Sequence, residues 1–260
     1  AASRGCYWNR CRFCPEPAEK SRWQEVAPAT VVRHLHALRA RHQPVLLHLL
    51  DNALSPGLLR ALADDPPGAP WYGFVRVHEQ LADPAFCHRL RASGCVLLKL
   101  GLESGSQAVL DAMGKGVRLE LMERTLAALT RAGIATYVYL LFGTPSESLE
   151  EARQTLDFTR RHHRAITFLN LAVFNMPVAS DEAAELPGTG FSDGDLSLYR
   201  DFVHPRGWDR RAVRTFLDRE FKRQPEIAAI LRRDPPLFTS NHAALFTAHF
   251  PGLDGEGLKT

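Results

Sequence analysis

Short apolar runs alternate with amphipathic helical stretches along most of this chain, and that alternation restricts the fold more than any other feature. "PVLLHLLD" (44–51), "WYGFVRVH" (71–78), "CVLLKLGLE" (95–103), "ATYVYLLFG" (135–143) and "AITFLNLAVF" (165–174) have the length and composition of strands. Between them, Val31, Leu35 and Leu38 share one helical face that ends before Pro44. Leu119, Met122, Leu126 and Leu129 share another, stopped by Gly133. Ser148 and Glu151 make a capping box at the start of "SLEEARQTLDFTRR". Strands joined by crossover helices pair in parallel. Five such strands and a stub before Cys6 give about six βα units, short of the eight in a complete barrel. The expected fold is therefore α/β, a partial (β/α)6 TIM-like barrel over residues 1–176.

Beyond Phe174 the pattern changes. Residues 177–260 read as a mostly helical appendage, with helices expected around 196–202 and 210–223. His204, Trp208, Asn241 and His242 stand out there, and packing of the tail is their plainest use. "DFVHPRGW" and "PPLFTSNHAALF" combine aromatics, polar tips and prolines, a composition suited to an ordered cover over the open barrel mouth.

With 45% hydrophobic residues in 260, the chain can bury a substantial core. A net charge of +3 is too small to argue for a nucleic-acid partner, though it is compatible with docking an acidic electron-transfer protein. No apolar run reaches membrane-spanning length and no signal pattern opens the chain, so a cytoplasmic protein is expected.

The opening "AASRGCYWNRCRFCPEPAEK" places Cys6, Cys11 and Cys14 within nine residues of each other, out of five cysteines in all. Three is an odd number for disulfides, and Cys87 and Cys95 lie far away and read as core thiols. Clustered thiolates repel unless a cation neutralises them, so ligation is the first reading. After the first strand of a parallel barrel the loop falls at the C-terminal edge, where such folds build their sites. Three thiolates leave one metal position open. Zinc sites with an open position rarely use three thiolates, although a structural zinc completed by a His remains an alternative. A cubane [4Fe–4S] cluster held by three thiolates leaves its fourth iron free to bind a small molecule.

These residues resemble the radical S-adenosylmethionine (SAM) enzymes, whose pattern is three cysteines with an aromatic before the last. "CYWNRCRFC" supplies that aromatic as Phe13, with four residues in the first gap where three is commonest. "LKLGLESGSQAVLDAMGKG" and "GIATYVYLLFGTPSESLEEARQTLDF" are similar to the fourth and fifth strand segments of the same superfamily, in the same order. The resemblance covers roughly the first two-thirds of the chain. It implies that the free iron chelates SAM, that an electron from the cluster breaks the sulfonium bond, and that the 5′-deoxyadenosyl radical takes hydrogen from a substrate. The loop looks most like members found beside cobalamin-binding domains. A radical methyltransferase is then the more specific expectation, with radical rearrangement or oxidation without cobalamin and a non-catalytic zinc protein as alternatives. A chain opening on such a loop reads as cut from something longer, so any cobalamin domain is expected upstream of Ala1. A flavodoxin or ferredoxin would supply electrons to act on a small-molecule or peptide substrate.

The resemblance also assigns roles by position. Cys6, Cys11 and Cys14 would hold the cluster, and Phe13 would flank adenine. Glu103, at a strand end, would contact SAM through its ribose or amino group, with Ser104 beside it; pairing with Lys99 or an Arg is the competing use of Glu103. Lys115 would lie near the SAM carboxylate, or merely occupy a surface turn. Asp51 ends the second strand, where relatives place a Gly-rich motif holding the SAM amino group; Arg76 ends the third and points into the same mouth or serves the barrel core; Gly143 permits close backbone approach to adenine or simply makes a strand-to-helix turn.

Overall fold

The computed structural model describes residues 1–188, 196–233 and 240–249. In chain order the elements are β1 (Ser3–Arg4), α1 (Pro15–Ala18), β2 (Gln24–Glu25), α2 (Pro28–His42), β3 (Leu47–Leu54), α3 (Pro56–Asp64), β4 (Trp71–Val75), α4 (Pro84–Ala92) and β5 (Cys95–Glu103). They continue with α5 (Gln107–Ala112), α6 (Leu119–Arg131), β6 (Ala135–Phe142), α7 (Leu149–Arg161), β7 (Phe168–Val173), β8 (Met176–Pro177) and α8 (Asp181–Glu185). β9 (Tyr199–Arg200), α9 (Arg210–Phe216), α10 (Pro225–Leu231) and α11 (Ser240–His249) are the last elements among the described residues.

Strands β3 to β7 form one parallel sheet in sequence order, the topology expected of consecutive right-handed βα units. The stub β1 does not join it. It pairs antiparallel with β2 and is strapped to β3, where the Asp51 carboxylate accepts from Ala2 N (2.9 and 3.0 Å) and Ser3 Oγ (2.6 Å). The result is a partial (β/α) barrel, five parallel strands wide with β1 as an outrigger.

Period-two alternation divides the sheet into two faces. Leu49, Trp71, Val75, Leu98, Leu100, Val138, Leu140 and Phe142 pack with buried residues of α2, α3, α4, α6 and α7 in the main core. The opposite face carries His48, Tyr72, Phe74, Tyr137, Tyr139 and Phe168, whose rings contact one another within and across strands, with Lys99 over Tyr72; His48 stacks on Tyr72 at 4.2 Å. β5 lies at the sheet centre, and all nine of its residues are buried, Lys99 and Glu103 included.

Several local expectations shift. β5 matches its predicted run, whereas β3 begins at Leu47 and β7 at Phe168, because "HRA" (163–165) forms a 3-10 turn first. Leu38 lies 45% exposed and does not join Val31 and Leu35 in the core. The capping box at Ser148 and Glu151 forms as read. The 196–202 stretch is not helical: it contributes β9, paired antiparallel to β8, and its Leu196 and Leu198 are exposed. Its alternating "LSLYR" pattern suits an extended chain better than a helical face. The 210–223 helix forms as α9 running into a π-helical turn over Leu217–Phe221.

The tail does two things. Residues 176–188 and 196–210 gather at the end of the sheet where the strands finish, through Phe174, Met176, Ala183 and Phe202 and through ion pairs from Arg12 to Glu182 and Glu185. α11 packs at the opposite end, with Ala243 and Ala244 against Tyr72, Leu97, Tyr137 and Phe168 near the strand starts. "PPLFT" (235–239) and the Asn241 and His242 side chains lie outside the described residues.

Candidate functional site: a thiol loop at the C-terminal edge of the sheet

The cysteine loop lies over the end of β5 and the turn that follows α5. Arg12 N–H donates to Met113 O at 2.9 Å, and the Trp8 indole N–H donates to Gly114 O at 2.9 Å. Phe13 packs between Val109, Leu110 and Met113 on one side and the Phe174–Met176 cluster on the other. Loop, strand end and tail thereby converge on one rim.

Cys6, Cys11 and Cys14 are all half-buried free thiols. Burial pushes the Cys14 thiol up to about 11, a backbone hydrogen bond opposes this, and the charges of Cys11 and Cys6 add to it. Burial also raises Cys11, while the Lys115 and Arg76 cations act in the other direction. Three ionised sulfurs here would oppose one another, so this donor set calls for a positively charged group between them. Among the described residues, no three His, Cys, Asp or Glu side chains are grouped so as to hold a metal ion directly. A cubane takes one thiolate at each of three irons and does not require the sulfurs to meet at a point. The Tyr7 hydroxyl, beside Cys6 and Arg76, is buried with no hydrogen-bond partner and is pushed up to about 12 by burial. An orphaned buried donor at the edge of the loop fits a site built around a group of its own.

Next to the thiols lies a buried ion pair, Lys115 Nζ to Glu103 Oε1 at 2.8 Å. Glu103 has φ of 67°, a left-handed backbone unusual for a side-chain-bearing residue and one that clusters at functional sites. Gly101 makes room for the pair, since a Cβ there would lie 2.4 Å from Glu103 Oε1 and 2.7 Å from Lys115 Nζ. Lys115 is thus no surface residue, and Glu103 pairs with it and not with Lys99. Lys115 Nζ also stands 5.5 Å from the Phe13 ring centroid.

The remaining predicted residues divide. Arg76 reaches the thiols, stacking on Trp8 with its guanidinium carbon 3.8 Å from the ring centroid. Ser104 is fully buried and faces α7, 3.2 Å from Thr155 Oγ1, where it holds β5 to that helix. Asp51 is engaged by β1. Gly143, with φ of 83°, ends β6 and borders a cleft of about 280 Å³ together with Asn175, Arg200, His204 and Trp208.

Two residues escaped the sequence reading. Trp8 reads as one more aromatic in the loop until Gly114 and Arg76 are placed against it. Glu147 is fully buried below Gly143, its Oε2 accepting from Gly143 N at 2.5 Å and from Trp208 Nε1 at 2.9 Å, while Oε1 has no partner. The neighbouring capping box hid it, because an acidic residue beside a helix start reads as an N-terminal charge. His204 does the packing work expected of it, its Nε2–H donating to Thr144 O at 2.9 Å and its Nδ1 accepting from the Trp208 and Arg206 amides.

A partial parallel barrel with three free thiols and a buried ion pair at the C-terminal strand edge defines a metallocofactor enzyme of the α/β barrel class. Residues 2–159 match the Radical SAM superfamily, and the chain belongs to it. Enzymes of this superfamily use a [4Fe–4S] cluster and SAM. The chain is 24% identical to the bacteriochlorophyllide d C-12(1)-methyltransferase of Chlorobaculum tepidum, over 80% of this chain and 44% of that protein. It is 28% identical to the tryptophan 2-C-methyltransferase of Streptomyces laurentii, over 66% of this chain and 32% of that one. Among solved structures, the cobalamin- and cluster-bound methyltransferase TsrM of Kitasatospora setae superposes with a TM-score of 0.60 at 23% identity, covering 74% of this chain and 40% of that one. The cobalamin-dependent enzyme OxsB superposes at 0.62 with 16% identity, covering 84% and 40%. The chain spans less than half the length of these relatives. Among the described residues, no helix is long and apolar enough to cross a membrane.

Proposed function

We propose that Cys6, Cys11 and Cys14 hold a [4Fe–4S] cluster and that the protein cleaves SAM reductively as part of a radical methyl transfer. The observation that carries this is the convergence of the three thiols with the Lys115–Glu103 pair on one rim. When bound, the cluster supplies one electron to the SAM sulfonium. The residues around it have separable tasks. The buried Lys115–Glu103 pair is matched to a zwitterion: a ligand bringing its own carboxylate and ammonium can exchange partners with the pair and leave no buried charge unpaired. The amino-acid end of SAM is such a ligand. Phe13, packed beside Lys115, offers an apolar face for adenine, and the Gly143 backbone borders the same rim. Residues 176–188 and 196–210 limit water at the mouth, which radical chemistry requires.

Methyl transfer is the favoured outcome because the relatives named above are methyltransferases, and two of the matching folds carry cobalamin. Cobalamin would be contributed from outside these 260 residues, and the electron by a flavodoxin or ferredoxin. Anaerobic reconstitution tests the centre directly and should give about four iron and four sulfide per chain. Cys6→Ala, Cys11→Ala and Cys14→Ala should each remove the stable cluster, whereas Cys87→Ala and Cys95→Ala should keep it. Equal loss from all five would end the ligand assignment. Reduced wild type should release 5′-deoxyadenosine, and Glu103→Gln should weaken SAM binding at unchanged iron content.

A further inference from the structure

The long first gap of the cysteine loop has a geometric use. Tyr7, Trp8, Asn9 and Arg10 separate Cys6 from Cys11, and Trp8 is aimed at the turn carrying Lys115. Its indole N–H caps Gly114 O at 2.9 Å. The Arg76 guanidinium covers the indole face at 3.8 Å and donates from Nη2 to Gly116 O at 2.8 Å. Both glycines are required. Gly116 has φ of 60°, and a Cβ there would lie 2.2 Å from the Trp8 ring; Gly114 has φ of 64°, and a Cβ there would lie 2.5 Å from Arg10 O. Lys115 is the residue between these two clamped positions, and its side chain is directed onto Glu103.

We propose that Trp8 and Arg76 are positioning residues, a clamp that fixes the thiol loop against the Lys115 turn and so sets the distance between cluster and SAM-binding pair. This rests on the reading of the rim given above and goes beyond it. Neither residue is required to ligate the cluster. Their contribution is that the thiols and the Lys115–Glu103 pair are held in one frame before any ligand arrives, so binding does not have to order two loops. A cation on an indole face together with a capped carbonyl is the type of contact that holds a short loop in one geometry.

The experiment compares wild type with Trp8→Phe, Trp8→Ala and Arg76→Lys. Trp8→Phe keeps a ring for Arg76 but loses the N–H donor, and Arg76→Lys keeps the charge but loses the planar stack. Iron content and far-ultraviolet circular dichroism should stay at wild-type values. SAM affinity measured anaerobically should fall about ten-fold in Trp8→Ala and less in Trp8→Phe. The electron paramagnetic resonance signal of the reduced cluster should change less on adding SAM. In protein without cluster, iodoacetamide should alkylate Cys6 and Cys11 several-fold faster in Trp8→Ala, with Cys87 and Cys95 unchanged. Wild-type SAM affinity and wild-type alkylation in Trp8→Ala would overturn the clamp. Should Trp8→Ala fail to fold, the same pair of wild-type results in Trp8→Phe and Arg76→Lys would overturn it. If wild type itself takes up no iron, the cluster reading fails, and the alkylation rates still decide whether the clamp exists.

Discussion

Burial decides the protonation state of Glu147. Desolvation raises its carboxyl from about 4.5 to about 7, against the hydrogen bonds from Gly143 and Trp208 that favour the ionised form. Between those two values the folded protein binds more proton than the unfolded chain, so the Glu147 contribution to stability falls as pH rises from about 4.5 through about 7 and then levels. Glu147→Gln is neutral throughout and retains a carbonyl acceptor for both donors. Its unfolding free energy from urea titration should therefore gain on wild type between about pH 5 and about pH 8, by a total on the order of 2 kcal/mol. Parallel pH profiles for the two proteins would show that the buried carboxyl is not the source. The same residue joins the β6 turn to Trp208, so its protonation is linked to the seating of the tail.

At the scale of elements, the edge strand and the central strand hold the site in different ways. β5 delivers Glu103 from a wholly buried strand, and its Gly101 leaves the space that the Lys115–Glu103 pair fills. Gly101→Ala should preserve the sheet, because an added methyl is compatible with extended backbone, but should force the pair apart. SAM affinity is expected to drop about ten-fold or more with iron content unchanged, as for the loss of a charged hydrogen bond. Normal affinity in Gly101→Ala would mean that the pair is not part of the SAM site. β3 acts from the edge, its Asp51 carboxylate binding the Ala2 amide and the Ser3 hydroxyl. Asp51→Ala leaves these donors to find water and should cost about 2 kcal/mol. The release should be local, detectable as faster amide exchange over residues 2–6 with the rest of the sheet unaffected.

At the scale of the whole molecule, the tail serves both ends of the partial barrel. Its first part joins the mouth through Arg12, Glu182 and the Phe174 cluster, and its last described helix, α11, covers the aromatic face near the strand starts. A chain ending at Arg233 should expose Tyr72, Leu97, Tyr137 and Phe168, lose roughly 3 kcal/mol and bind a hydrophobic dye. Its cysteine loop, at the opposite end, should still take up iron. Loss of iron uptake along with stability would mean that the two ends are coupled more tightly than the contacts between them suggest.

Much of this architecture was written in local pattern. Apolar strand runs, the capping box at Ser148 and the stop at Gly133 depend on residues a few positions apart, and they gave the parallel α/β partial barrel. The three cysteines and Phe13 are likewise local, because all four fall within one short segment. Tertiary structure alone determined the partners across the fold. Lys115 meets Glu103 only because the turn after α5 folds back over the end of β5, and Trp8 finds Gly114 and Gly116 more than a hundred residues away. Asp51 turned from a strand-end carboxylate into the strap for β1, and Ser104 into a tie to α7, once their neighbours were in place. The 196–202 stretch is extended and not helical because its short alternating pattern needs a partner strand to show its form, and β8 supplies that partner. Spacing along the chain fixes which residues share a face or a loop. Which charge meets which, and which polar atom is left buried, follows from long-range packing.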